Sequence, residues 1–302
     1  MAPRRESAAS RAQGKRPAKS SQPEALWKAR FDTALFSFME DYQWYKQHFA
    51  QIWVVPGRNI NFPQLQHFGF DGLFTRMGWL LVVTISQSIF PTIVRAFYSR
   101  VTYGMGGPII STVRWVKIYL DSESIYHIFY IATVGLRMYK SKMWPTMLGF
   151  EPREAIQRIC GLPDAQGMGK PSAHSLTVIS KVLHHMLCSI FLPRDGHQDE
   201  VSCYEAFLIS FILTGRRIHL GYLMMMHMIS CCESTTRILL YGRFLTRVFK
   251  DVDVDLSKET DFEAPSTYDT YDDQSMTMIK FENAPDGYCV MRIEIAPTQA
   301  RG

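Results

Sequence analysis

Two consecutive stretches, SCYEAFLISFILTG (Ser202 to Gly215) and RIHLGYLMMMHMISCCES (Arg217 to Ser234), limit what this chain can become. Each reads as a helix of three turns or more. The second is apolar nearly all round, so it needs other elements packed on every side and is expected at the centre of a core. With 302 residues, 47% of them hydrophobic, the chain can supply that wrapping.

The wrapping elements are mostly helical by pattern. From Glu24 to about Val54, Leu26, Trp27, Phe31, Leu35, Phe38, Met39, Tyr42, Tyr45 and Phe49 recur at helical spacing, as one long amphipathic helix or two short ones. Pro63 to Met77 predicts a second helix ending at Gly78, and Pro91 a helix start. EPREAIQRICG has Pro152 near its beginning and Gly161 past its end, HSLTVISKVLHHMLCSIFLP stops at Pro193, and GRFLTRVFK forms a last helix. VRWVKIYL alternates Val116, Ile118 and Leu120 with Trp115, Lys117 and Tyr119, a half-buried strand, and Asp121 then caps SESIYHIFYIA. The expectation is a mainly α fold: one helical domain over 24–250, a minor strand near 113–120, an acidic linker at 251–275, and a small β-hairpin around NAPDG within 276–302.

Charge is segregated along this plan. The first 23 residues carry a net +5, Glu24 to Lys250 a net +8, and Asp251 to Gly302 a net −8. Arg4, Arg5, Arg11, Lys15, Arg16 and Lys19 form a basic, Pro- and Ser-rich arm, a candidate nucleic-acid contact or a solubilising leader. No secretory leader is visible, so the six cysteines are expected as reduced thiols and the protein in nucleus or cytoplasm. Met77 to Val94 is uncharged, but Thr84, Ser86, Gln87, Ser88 and Pro91 interrupt it, favouring a buried strand leading into a helix over a membrane span.

IVRAFYSRV, TVRWVKIYLDSESIYHIF, LHHMLCSIFLP, ILTGRRIHLGYLMMMHMI and LLYGRFLTRVFKDVDVDL, in this order over roughly Phe62 to Leu256, resemble the plant-specific transposon-protein domain family. The resemblance implies descent from a plant mobile element, among retroelement-like reading frames, and it carries over no catalytic residue.

The motifs that suggest chemistry fail on their own physics. In GLPDAQGMGKPS, Asp164 replaces the first glycine of a phosphate loop and Pro171 follows Lys170 in place of a hydroxyl, so a nucleotide is not expected. Asp251, Asp253 and Asp255 imitate a calcium loop, but Leu256 and Phe262 stand where glycine and a bidentate carboxylate are needed. His184 and Cys188 share one helical face and His227 and Cys231 another, so facing helices would bring four zinc-type donors together; core filling by Cys and buried His is the simpler reading. No acidic constellation suited to paired metals stands out. The expected role is a non-enzymatic interaction or assembly module without metal or small-molecule cofactor, with nucleic acid, protein partners or self-association as its contacts. A degenerate metal-dependent transposase or nuclease is the alternative.

Overall fold

The structure, a computed structural model, describes residues 33–104, 106–139, 143–162, 170–194, 199–233, 238–278, 281–283 and 289–291. The fold is mainly α. Among these residues run α1 (Met39–His48), β1 (Trp53–Val54), β2 (Asn59–Ile60), α2 (Phe70–Met77), α3 (Leu80–Val83), α4 (Pro91–Ser99), β3 (Thr102–Tyr103), β4 (Ile109–Val113), β5 (Val116–Leu120) and α5 (Ser122–Phe129). Then follow α6 (Pro152–Cys160), α7 (Val178–Met186), α8 (Cys203–Thr214), α9 (Leu220–Glu233), β6 (Ile238–Leu239), α10 (Gly242–Asp251), β7 (Thr270–Tyr271), α11 (Asp273–Met278), β8 (Phe281–Asn283) and β9 (Cys289–Met291).

Local signals set most helix ends. Asp121 Oδ1 accepts from the N–H groups of Glu123 (3.1 Å) and Ser124 (2.7 Å), satisfying two amides that α5 cannot pair internally. Ser202 and Glu205 exchange side-chain and backbone bonds in a capping box at the start of α8. Pro91 and Pro152 occupy first turns, and Gly78 and Gly161 end their helices in the left-handed conformation that a β-carbon disfavours. Leu187–Phe191 continues α7 as a π-helical turn.

Both apolar helices reach the core, with their order changed. Ten of the twelve residues of α8 are buried, whereas α9 buries chiefly Leu220, Gly221, Leu223, Met224, Met225, Met228 and Ile229. The α6, α7 and α2 helices pack on α8, and α5 packs on α9. A β-carbon on Gly221 would lie 3.0 Å from the Ser122 carbonyl oxygen, so the absence of a side chain permits this close crossing. Buried side chains form one contiguous cluster from Leu35 to Met276.

One expectation needs correction. The uncharged Met77–Val94 stretch contains the short α3 and an extended run touching Glu263 through Ile89, not a strand; no helix among the described residues is long and apolar enough to cross a membrane. Of the first long helical pattern, residues 24–32 lie outside the described residues, and the remainder holds α1. The half-buried strand expected in VRWVKIYL is β5, the second arm of a hairpin whose turn takes Arg114 and Trp115: β4 and β5 pair antiparallel from Ile109↔Leu120 to Val113↔Val116, and β3 joins β4 at its other edge. Ile109, Ser111, Val113, Ile118 and Leu120 face inward, while Lys117 and Tyr119 face out. At the far end of the chain, β8 and β9 pair antiparallel about the NAPDG stretch.

The acidic segment after α10 lies along the body. Asp261 meets Arg95 and the Thr92 hydroxyl, Glu259 pairs with Arg114, and Asp269 pairs with Arg243 at 2.7 Å. Tyr271 is 1% exposed under the Arg58 guanidinium, and its hydroxyl donates to the His185 carbonyl at 2.9 Å. β7 runs parallel to β2, and β6 parallel to β1.

Candidate functional site

The sequence singles out His184 and Cys188 as neighbours on one helix, and α7 with its π turn brings their side chains together: Cys188 Sγ lies 3.5 Å from His184 Nε2. The third member comes from another helix. Glu205 Oε2 is 3.3 Å from His184 Nε2, and Oε1 accepts from Cys188 Sγ at 3.4 Å. Arg194 Nη1 lies 3.4 Å from the same Oε1, and the Ser202 N–H donates to Oε2 at 2.8 Å. His184, Cys188 and Glu205 are all buried.

The proton positions follow from these contacts. A carboxylate only accepts, so His184 donates from Nε2, and its Nδ1 is buried with no hydrogen-bond partner among the described residues. Burial raises Glu205, but hydrogen bonds from His184 and the Ser202 N–H, with the Arg194 charge, outweigh it and hold the carboxyl down to about 2. Burial and the adjacent Glu205 carboxylate push the Cys188 thiol well above the usual range, so it stays protonated. The cluster is therefore a carboxylate facing a guanidinium and bonded to an imidazole N–H and a neutral thiol.

His227 and Cys231 do not join this group; the three donors within 4.8 Å of one another are His184, Cys188 and Glu205. His227 Nδ1 lies 2.7 Å from the Tyr241 hydroxyl, which donates to the Phe191 carbonyl, so the imidazole supplies the proton of that bond. Burial holds His227 down to about 4 and raises Cys231 to about 12. The donor set fits a metal poorly in this arrangement. Zinc at His184 Nε2 would leave the ring proton on Nδ1, which has no acceptor among the described residues.

Other candidates fall as follows. Arg4, Arg5, Arg11, Lys15, Arg16 and Lys19 lie outside the described residues, as do residues 163–169 of the glycine-rich stretch. That stretch spans the interval between α6 and the 3-10 turn at Ala173–Ser175. In the calcium-like run, Asp255 folds onto its own backbone, accepting from the Ser257 N–H (3.0 Å) and hydroxyl (2.6 Å).

Sequence reasoning passed over the surface formed by the β4–β5 hairpin. Its two-residue turn is Arg114 and Trp115, with φ of 48° and 68°. Positive φ at both positions makes a turn that ordinarily takes Asn-Gly or Gly-Gly. Arg114 is turned inward against Glu259, but Trp115 is 66% exposed, and Tyr119 is 48% exposed along the same arm. The available signal was the unusual pair Arg-Trp between two alternating apolar runs.

Residues 75–255 match the family described as "Putative plant retrotransposon-related domain". No curated protein and no solved structure gives a significant match. The matched region takes in α3 to α10, the hairpin and the buried His–Cys–Glu cluster. Since that match covers more than half of the chain, the protein belongs to this plant retrotransposon-related family and derives from a mobile element.

Proposed function

We propose that this mobile-element-derived protein acts as a non-enzymatic interaction or assembly module, with the basic arm at residues 1–23 contacting nucleic acid. The observation that carries this reading is the commitment of five of its carboxylates to arginines. Asp41, Glu205, Glu259, Asp261 and Asp269 each face an arginine, respectively Arg100, Arg194, Arg114, Arg95 and Arg243. Strand cleavage or transfer by paired metal ions needs several carboxylates converging on one point without such counter-charges. These five are instead distributed as fastenings between elements, and the Cys188 and Cys231 thiols are held protonated by burial.

The arm carries the electrostatic half of the proposal. Its six basic residues supply a sequence-independent attraction to phosphates that weakens steeply with salt. The test is binding of labelled RNA and DNA at two salt concentrations by the full chain and by a chain lacking residues 1–23, with a cleavage assay in Mg2+ and Mn2+ alongside. Salt-sensitive binding that falls when the arm is removed is the expected result. Unchanged binding would sink the arm's role, and metal-stimulated cleavage would establish the nuclease alternative.

A further inference from the structure

We infer that the outward face of the β4–β5 hairpin, Trp115, Lys117 and Tyr119, is a stacking site for single-stranded nucleic acid. The inference rests on the proposed interaction role and gives it a specific location. It begins with the turn. A non-glycine residue in the left-handed region costs about 1–2 kcal/mol, and the hairpin places two in succession, Arg114 and Trp115. Arg114 gains a buried ion pair with Glu259. Trp115 gains little from burial, since two thirds of it faces solvent. Strain held at an exposed aromatic points to a use outside the fold.

The arrangement behind the tip fits that use. Lys117 and Tyr119, alternate outward residues of β5, stand about 7 Å apart, and the exposed Trp115 precedes them at the turn. Lys117 is exposed and has no acid partner among the described residues. Across from it stands Thr112, and Ile110 faces Tyr119, so the neighbouring strand adds no charge to the face. The inner face is apolar and Arg100 donates to the Thr112 carbonyl at 3.1 Å, which holds the platform rigid. Two aromatic faces with a cation between them offer unpaired bases π surfaces and the intervening phosphate a counter-charge. The basic arm, net +5 over residues 1–23, together with Lys117 favours a polyanion over a protein surface as the occupant.

The experiment measures fluorescence anisotropy of labelled twelve-residue oligouridylate and oligothymidylate with the full chain at 50–200 mM NaCl. W115A/Y119A is expected to weaken binding about tenfold or more, with the salt dependence kept. K117Q is expected to lower the slope of log affinity against log salt by about 0.7, one single-strand phosphate contact. W115G, which relieves the turn, provides a variant whose fold is not in question and should also lose affinity. Wild-type affinity in all three overturns the inference while leaving the arm's role standing; absence of oligonucleotide binding by the unaltered chain overturns both. Loss of self-association in sedimentation, with oligonucleotide affinity kept, would reassign the face to protein docking and overturn the inference.

Discussion

Replacing Glu205 by glutamine tests the account of the buried cluster most directly. A glutamate held at about 2 against an ordinary value near 4.3 binds its proton more weakly in the folded chain than in the unfolded one. At 1.36 kcal/mol per pH unit this contributes about 3 kcal/mol at neutral pH, an order-of-magnitude figure that needs little discount for solvent because the side chain is 5% exposed. The folded value is depressed, so the contribution is complete above about pH 4.3 and is lost as the pH falls toward 2. Glutamine keeps the shape and can still accept from the Ser202 N–H, but it removes the charge that holds Arg194 and His184. Urea unfolding of both chains at pH 7, 5, 4 and 3 should show E205Q less stable by about 2–4 kcal/mol at pH 7, with the gap narrowing below pH 4. A gap that stays constant from pH 7 to 3, or no gap at all, would refute the assignment of an ionised, neutralised carboxylate.

Other expectations concern the turn, the C-terminal segment and metal content. Both W115G and W115A remove the indole, but glycine alone accepts φ of 68°, so W115G should unfold at higher urea than W115A by about 0.5–1 kcal/mol. The reverse order would mean the turn carries no strain. Tyr271→Ala empties a buried site under Arg58 and should cost about 3–5 kcal/mol, with limited proteolysis newly cutting between residues 252 and 278; resistance equal to wild type would count against the docking of this segment. Elemental analysis of the purified chain should find well below one zinc per molecule, and stoichiometric zinc lost in C188S would overturn the proton assignment at His184 and Cys188.

Features governed by neighbours in sequence were readable in advance. Asp121 caps α5, Pro91 and Pro152 open their helices, and Gly78 and Gly161 close theirs, because each signal acts within one turn. The i, i+4 pairing of His184 with Cys188 was equally local. Glu205 was visible only as the fourth residue of Ser202-x-x-Glu205; its choice of His184 and Arg194 as partners depends on how α7 and α8 meet. The segment 251–278 was illegible for a related reason. Its acids resemble a solvated linker until Arg58, Arg95, Arg114 and Arg243, distant in sequence or hidden within other elements, are gathered along its path. IISTV failed as a strand signal because its partner VRWVKIYL had absorbed the turn residues into its own apparent alternation.

The two parallel pairings set an order on how this chain can be made. β1 must wait for Ile238 and Leu239, and β2 for Thr270 and Tyr271, so the N-terminal strands emerge from the ribosome with nothing to pair. At about 5–20 residues per second, the interval is roughly 10–40 seconds, during which α1 to α9 must gather without their final closure. A copy of the element with a stop codon ahead of residue 270 would lose the closing strand while retaining almost all of the matched family region. Truncation ahead of residue 270 therefore strips β2 of its partner and removes Tyr271 from the core, a loss that the matched region alone does not reveal.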